Sequence, residues 1–133
     1  MTDLERARDF FKNDKYATEV TGIEITAVGP KYAKVELDLN EGHYNAIGAV
    51  MGGVYFTMSD FAFAIASNFD ADPCVTLGSH IIYLSPAKGR HLIAETCRIK
   101  DGRKTCCYRV DIRDELGTEV ATVTVEGYKV QKS

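Results

Sequence analysis

GGVYFTMSDFAFAIAS, residues 52–67, is the stretch that decides the fold of this chain. It predicts a helix over residues 52–68 whose apolar side chains lie on nearly every side, and a helix of that kind is buried. The stretch is shorter than the roughly 18 apolar residues that a membrane span needs. Asp60 is the one full charge within it. A buried carboxylate is costly unless it is paired, hydrogen-bonded or used in chemistry, so Asp60 is the first candidate functional residue.

The composition predicts a single domain over residues 1–133 with a core of its own. Apolar residues make up 45% of the chain and charged residues 26%, with a net charge of −3, which is typical of globular proteins. No basic run is present, so we expect no nucleic-acid partner. The charged first residues predict neither a secretory signal nor a membrane anchor. The four cysteines lack zinc or C-x-x-C spacing, which favours reduced thiols in the cytoplasm.

Hydrophobic periodicity divides the rest of the chain into one further helix and a set of strands. Residues 2–13 predict a packing helix, with a lead-in that reaches residue 18. Residues 22–28 and 31–39 predict a hairpin, which a loop over 40–51 connects to the central helix. Residues 74–130 predict a β-meander of three hairpins. Its four long strands are expected over residues 75–84, 91–100, 103–113 and 118–130.

Long antiparallel strands and a single apolar helix predict an α+β fold in which a curved sheet wraps around the central helix. One sheet covers only part of a helix, and the apolar surface that remains favours a second subunit. We therefore expect a homodimer.

Asp60 and the pair Gly52-Gly53 each admit two interpretations. Asp60 is either a solvated charge on the side of the helix that the sheet leaves open, or a general base or nucleophile whose pKa is tuned by an apolar cleft. The glycines either provide the torsions of a tight turn or let a ligand carbonyl reach the N–H groups at the helix start, as in an oxyanion hole.

The spacing of these two features predicts a site shared between chains. Gly53 and Asp60 are seven residues apart, which is roughly 10 Å along a helix axis. A reacting carbonyl carbon must lie about 3 Å from both its attacker and its oxyanion donors. One helix does not easily bring both groups to that point, whereas two antiparallel copies in a dimer do. We expect Gly53 of one chain to face Asp60 of the other.

Other polar residues are weaker candidates. Asn45 is either a turn residue or an amide that orients a water or the carboxylate. Thr76 is either an ordinary strand residue or a hydrogen-bond partner of Asp60. Cations near the predicted turns are either solvated or hold substrate phosphates. These cations are Lys88, Arg90, Lys100, Arg103 and Lys104.

The three histidines, His43, His80 and His91, have no metal-binding spacing, so we expect no metal. His80 alternates with Ser79 and Ile81 in a predicted strand, which favours a place in the core or at an interface.

Asn45, the run Met51-Gly52-Gly53, Asp60 and the run Ile82-Tyr83-Leu84-Ser85-Pro86-Ala87 together resemble the hotdog-fold acyl-CoA thioesterases of the PaaI-like, phenylacetate-pathway type. The resemblance extends over residues 20–130. It implies the hotdog fold, an antiparallel sheet wrapped around a long helix. It also implies dimers that often pair into tetramers, and hydrolysis of acyl-CoA thioesters without a cofactor.

The resemblance also implies roles for individual residues. Asp60 matches the acidic base or nucleophile, and Gly53 matches the residue whose N–H polarises the thioester carbonyl. Asn45 matches the amide that positions the reacting groups, and Thr76 lies where relatives place a serine or threonine near the carboxylate. The regions that meet CoA in relatives correspond here to Ser85, Pro86, Ala87, Lys88 and Arg103.

Met51 departs from the family's usual motif, His-Gly-Gly, so the position beside Gly52 lacks the hydrogen bond that a histidine makes. An acyl-CoA thioesterase is the first hypothesis, and this departure makes a non-catalytic acyl-CoA-binding protein the alternative. A hotdog-fold hydratase or dehydratase ranks third, because such enzymes usually place a histidine beside the acidic residue and the sequence near Asp60 has none. The helix aromatics either line an acyl pocket or, as we expect, fill the core. They are Tyr55, Phe56, Phe61 and Phe63.

Overall fold

A computed structural model describes residues 1–130. It shows one six-stranded antiparallel sheet around one long helix. The last three residues of the expected domain, 131–133, lie outside the described residues. Helix α1 spans Asp3–Phe11, a π-helical turn spans Tyr16–Thr21 and a 3-10 turn spans Glu41–His43. The central helix, α2, spans Gly52–Asn68. The strands are β1 (Glu24–Gly29), β2 (Tyr32–Asp38), β3 (Cys74–Tyr83), β4 (His91–Asp101), β5 (Thr105–Asp114) and β6 (Glu119–Lys129).

The strand order is β1-β2-β4-β5-β6-β3. The hairpins β1–β2, β4–β5 and β5–β6 form as expected. The expected hairpin between β3 and β4 is wrong, because β3 pairs with β6 and forms an edge of the sheet. The turn signal at Ser85-Pro86 marks where β3 ends but carries no information about its partner. The segment over 84–90 instead crosses past β6 and β5 to reach β4.

Helix α2 contacts every strand of the sheet, and most of its apolar side chains fill the core as expected. The expectation is wrong for Phe56, which is 38% exposed because it lies on the side that the sheet leaves open. Tyr55, Phe61 and Phe63 are all buried. Phe11 of α1 packs edge-on against Phe61, with the ring centroids 6.3 Å apart. Within residues 1–130, no helix is both long and apolar enough to cross a membrane.

One side of α2 is left open by the sheet. Gly53, Phe56 and Asp60 are exposed, and Thr57 and Ala64 are half-buried. Spacings of three, four and seven residues place these five on one face of a helix, and we call them the open stripe of α2. The expectation of a buried Asp60 is therefore wrong for the single chain. The number of apolar residues in a helix does not show which of its faces a single sheet leaves uncovered.

Tyr108 is the one buried side chain in residues 1–130 whose polar atom has no hydrogen-bond partner. Its ring is fully buried and packs edge-on against Phe63, with centroids 5.4 Å apart. Burial, which is the main cause, raises the pKa of this phenol, so the group stays neutral.

We expect Tyr108→Phe to raise the free energy of unfolding by about 1 kcal/mol, because it removes an unsatisfied hydroxyl and leaves the ring in place. Urea unfolding monitored by circular dichroism measures the change. Tyr128→Phe, at a half-exposed tyrosine, is the control and should change stability little. A loss of stability in Tyr108→Phe would show that the hydroxyl has a partner in solution.

Candidate active site

The two glycines at the start of α2 have different roles. Neither has a positive φ, so the tight-turn interpretation does not explain them. A Cβ atom on Gly53 would meet nothing within 4 Å, whereas one on Gly52 would lie 2.7 Å from the Tyr83 hydroxyl oxygen. Within residues 1–130 neither N–H group has a hydrogen-bond acceptor, as is usual for the first turn of a helix. The open space at Gly53 would therefore admit a group from outside the chain.

Asp60 lies in the middle of the open stripe of α2, at a small cavity of about 290 Å³. Asp14, Tyr16, Thr57 and Ala64 are among the residues that line the same cavity. Partial desolvation by these neighbours, with a smaller contribution from the negative charge of Asp14, raises the pKa of Asp60 above its ordinary value. No hydrogen bond or ion pair within residues 1–130 occupies the carboxylate. Asp60 is thus an exposed but partly desolvated carboxylate without a partner in residues 1–130, which makes it a candidate base.

A second cavity of about 430 Å³ lies at the start of α2. Its lining includes Gly52, Tyr55, Tyr83, Ser85 and Pro86. Gly53 and Asp60 remain roughly 10 Å apart along the axis of α2, and the two cavities have no lining residue in common. A single chain therefore does not bring the helix-start amides and the carboxylate to one point.

Asn45 lies in the loop before α2, half-buried. Its side-chain oxygen accepts hydrogen bonds from the N–H groups of Ile47 (3.1 Å) and Ala49 (3.0 Å). These bonds fix the orientation of the amide and hold the loop, so the turn interpretation of Asn45 is correct. Both bonds are made to the oxygen, and within residues 1–130 the side-chain NH₂ group has no acceptor, so it is available as a donor.

Thr76 lies on the edge strand β3 and is exposed. The pairing of β3 with β6 has a bulge between Thr76 and Gly78. Within the described chain, Thr76 makes no hydrogen bond to Asp60. His80 is also exposed on this strand, so of the two places expected for it the core is wrong, and an interface remains a prediction.

The crossing segment over 84–90 is held by Asp114, which the sequence analysis did not single out. Asp114 is 1% exposed, and its Oδ2 accepts from the N–H groups of Lys88 (2.8 Å) and Gly89 (2.9 Å). Its Oδ1 accepts from Leu116 and Thr118. Burial acts to raise the pKa of Asp114, but the amides of Gly89, Thr118 and Lys88 outweigh it and hold the pKa at about 2. Asp114 thereby holds the segment at Lys88 and Gly89, and the segment's Ser85 and Pro86 line the larger of the two cavities, whereas Ala87 and Lys88 are not part of that lining.

Arg103 lies at the other end of the sheet. Asp114 is opposite Leu92 at the start of β4, and Cys106 is opposite Asp101 at its end. At about 3.3 Å per residue, those two ends are roughly 30 Å apart along the strand. The structure therefore separates Arg103 from Lys88 within one chain, and the expected cluster of cations divides between the two ends.

His43 and His91 have structural partners. His43 is buried, and its Nδ1 accepts from the N–H of Asn40 while Nε2 donates to the carbonyl of Thr21. His91 is paired with Glu36 and Asp38, which raise its pKa. Within residues 1–130 no group of three or more histidine, cysteine or carboxylate side chains is placed to hold a metal ion.

Known proteins share this fold and sequence pattern. The thioesterase superfamily model matches residues 47–129, from the loop before α2 to the end of β6. A relative from Archaeoglobus fulgidus that is named as an esterase is 31% identical over 131 residues, covering 97% of this chain and 84% of the relative. Acyl-coenzyme A thioesterase PaaI of Escherichia coli is 24% identical over 127 residues, covering 95% of this chain and 90% of the length of PaaI.

Solved structures agree with these matches. The structure of E. coli PaaI superposes with a TM-score of 0.89 at 20% identity, covering 98% of this chain and 96% of PaaI, which supports the fold. A thioesterase of Streptococcus pneumoniae solved with coenzyme A has a TM-score of 0.83 at 25% identity, covering 92% of this chain and 99% of that protein. The chain therefore belongs to the thioesterase superfamily, as a PaaI-like protein with the hotdog fold, and is a thioester hydrolase.

Proposed function

We propose that this protein hydrolyses acyl-CoA thioesters at a site shared between two chains. The observation that carries the proposal is the open stripe of α2, which presents free amides at Gly53 and an unpartnered carboxylate at Asp60 on one face. The E. coli relative is named an acyl-coenzyme A thioesterase, and the S. pneumoniae neighbour was solved with coenzyme A. Both support CoA as the thiol part of the substrate.

A homodimer completes the site. Two antiparallel copies of α2, packed along their open stripes, place Gly53 of each chain near Asp60 of the other. The edge strand β3 supports this assembly, because its exposed apolar side chains are unusual for the edge of a monomer. They include Val75 (49% exposed) and Leu77 (63% exposed). We also expect dimers to pair into tetramers, and light scattering would show a multiple of the 14.7 kDa chain mass.

The chemistry follows from the two groups. The thioester carbonyl oxygen accepts a hydrogen bond from the Gly53 N–H, and Asp60 of the partner chain takes a proton from water. The hydroxide so formed adds to the carbonyl carbon, and the negative charge moves to the oxygen held by the helix start. The C–S bond then breaks, and the CoA thiolate takes up the proton from Asp60. The NH₂ group of Asn45 and the hydroxyl of Thr76 orient the water and the carboxylate.

The remaining features fit an acyl-CoA substrate. Ser85 and Pro86 line the larger cavity, and Lys88, two residues further along and held through its N–H by Asp114, offers a cation to a CoA phosphate. Arg103 reaches a CoA bound near Lys88 only if it belongs to another chain of the assembly. All four cysteines are free thiols, in keeping with the reducing cytoplasm as the location.

Thiol release across a panel of acyl-CoA esters tests the proposal. We expect turnover of at least one CoA thioester and none of the matching oxygen ester. Binding of CoA esters by calorimetry, without thiol release, would instead support the non-catalytic alternative that Met51 suggests. In that case Met51→His should create activity.

Mixing two inactive variants tests the shared site. Asp60→Asn and Gly53→Asp should each be inactive, and chains refolded together should recover roughly a quarter of wild-type sites, since half of random dimers are mixed and each carries one intact site. The control is the double variant Gly53→Asp/Asp60→Asn mixed with Asp60→Asn, which should stay inactive. No recovery in the first mixture, with mixed dimers demonstrated by mass spectrometry, would place both groups in one chain.

A further inference from the structure

The phenol of Tyr83 lies directly on the first residue of α2. A Cβ atom on Gly52 would be 2.7 Å from the Tyr83 hydroxyl oxygen and 3.0 Å from its Cζ atom, which is closer than side chains pack. Gly52 has no positive φ, and a Cβ atom at position 52 would have to displace the tip of the Tyr83 side chain. The two glycines therefore differ in their surroundings: Gly52 makes room for Tyr83, and Gly53 leaves space for a ligand.

The Tyr83 hydroxyl has no hydrogen-bond partner within residues 1–130. The side chain is 55% exposed and lines the larger cavity together with Gly52 and Tyr55, whose ring centroid is 6.3 Å from that of Tyr83. A phenol hydroxyl can donate a hydrogen bond. This donor lies beside Gly52 at the start of α2, and the other residues that line the cavity are mostly apolar.

Met51, the residue before the glycines, has no N–H or O–H group in its side chain. It is 55% exposed and provides no side-chain cap for α2. At this end of the helix the side-chain donor near Gly52 is therefore the Tyr83 hydroxyl, and Met51 supplies none.

We propose that the Tyr83 hydroxyl donates a hydrogen bond to the thioester carbonyl oxygen and is a catalytic residue of this enzyme. The inference rests on the proposed function. As water adds to the carbonyl carbon, the carbonyl oxygen gains negative charge, and the hydrogen bond from Tyr83 strengthens while the phenol keeps its proton. Together with the Gly53 N–H, it forms a two-donor oxyanion hole that needs no histidine at position 51.

Tyr83→Phe tests the inference, because it removes the hydroxyl and keeps the ring against Gly52. We expect kcat for the best acyl-CoA to fall about 100-fold, with KM changed much less. Tyr128→Phe is the matched control, since Tyr128 is a half-exposed tyrosine opposite Val75, at the other end of β3, and its kcat should be unchanged. Adding Met51→His to Tyr83→Phe should restore part of the lost rate.

A spectroscopic measurement separates a contact with the substrate from a packing effect. In an Asp60→Asn background, the bound acyl-CoA carbonyl should absorb at a lower infrared frequency than in water, and Tyr83→Phe should remove part of that shift. Equal kcat in wild type and Tyr83→Phe, or an unchanged carbonyl frequency, would overturn the role of Tyr83 while leaving the thioesterase function intact. Absence of thiol release by the wild type would overturn both.

Discussion

Asp60→Asn should lower kcat for acyl-CoA hydrolysis by about a thousandfold, the usual scale for a lost general base. Asparagine keeps the size of the side chain but takes no proton from water, and it is a poor nucleophile. Because Asp60 is exposed and has no partner within residues 1–130, the free energy of unfolding should change by less than about 0.5 kcal/mol. Thiol-release kinetics and urea unfolding measure the two effects.

Asp72→Asn is the matched control for Asp60→Asn. Asp72 is an exposed carboxylate in the turn after α2 and lines neither of the two cavities at the site. Its kcat should equal that of the wild type. Undiminished turnover in Asp60→Asn would remove Asp60 from the mechanism.

The pH dependence of the wild type gives the same residue a second readout. A base works deprotonated, so kcat should fall as pH falls through the pKa of Asp60. Desolvation and the charge of Asp14 raise that pKa, which places the acidic limb at higher pH than an ordinary aspartate would give. Asp14→Asn removes a negative charge that favours the protonated form of Asp60, so the limb should move to lower pH.

The spacing of Gly53 and Asp60 is the part of the site that the sequence reveals most directly. A helical repeat converts seven residues into a distance and a common face, and both are present in the open stripe of α2. Alternation along the strands likewise predicts the buried side chains of β2, such as Val35 and Leu37. Such inferences depend only on local periodicity, which can be read from consecutive residues.

The partner of β3 and the role of Asp114 depend on contacts between distant segments. Asp114 looks like an ordinary turn residue in the run Asp114-Glu115-Leu116-Gly117, and two of its four hydrogen bonds join a segment about 25 residues earlier in the chain. The contact of Tyr83 with Gly52 is of the same kind. These two contacts do not follow from a periodic pattern or a fixed spacing of residues, so a single sequence does not indicate them.

Asp114→Ala should lower the free energy of unfolding by about 3 kcal/mol, because it leaves part-buried N–H groups without acceptors. Those groups belong to Lys88, Gly89, Leu116 and Thr118. Asp111→Ala is the control on the same strand. Asp111 is half-exposed and paired with Arg109, so its loss should cost less than about 1 kcal/mol. Equal costs for the two variants would mean that Asp114 does not anchor the crossing segment.

The same carboxylate should make stability depend on pH. The folded pKa of Asp114 is about 2, below the value near 3.9 of an unfolded aspartate. Its contribution is therefore fully present above about pH 5 and is lost as pH falls through 2, by about 2.5 kcal/mol in all. Urea unfolding at pH 6 and pH 3 should show about half of this loss in the wild type and a smaller one in Asp114→Asn. Because Asp114 also anchors the segment whose Ser85 and Pro86 line the larger cavity, Asp114→Asn should raise KM for acyl-CoA at pH 7 more than it lowers kcat. An unchanged KM in a variant with the expected loss of stability would separate the fold of the crossing segment from substrate binding.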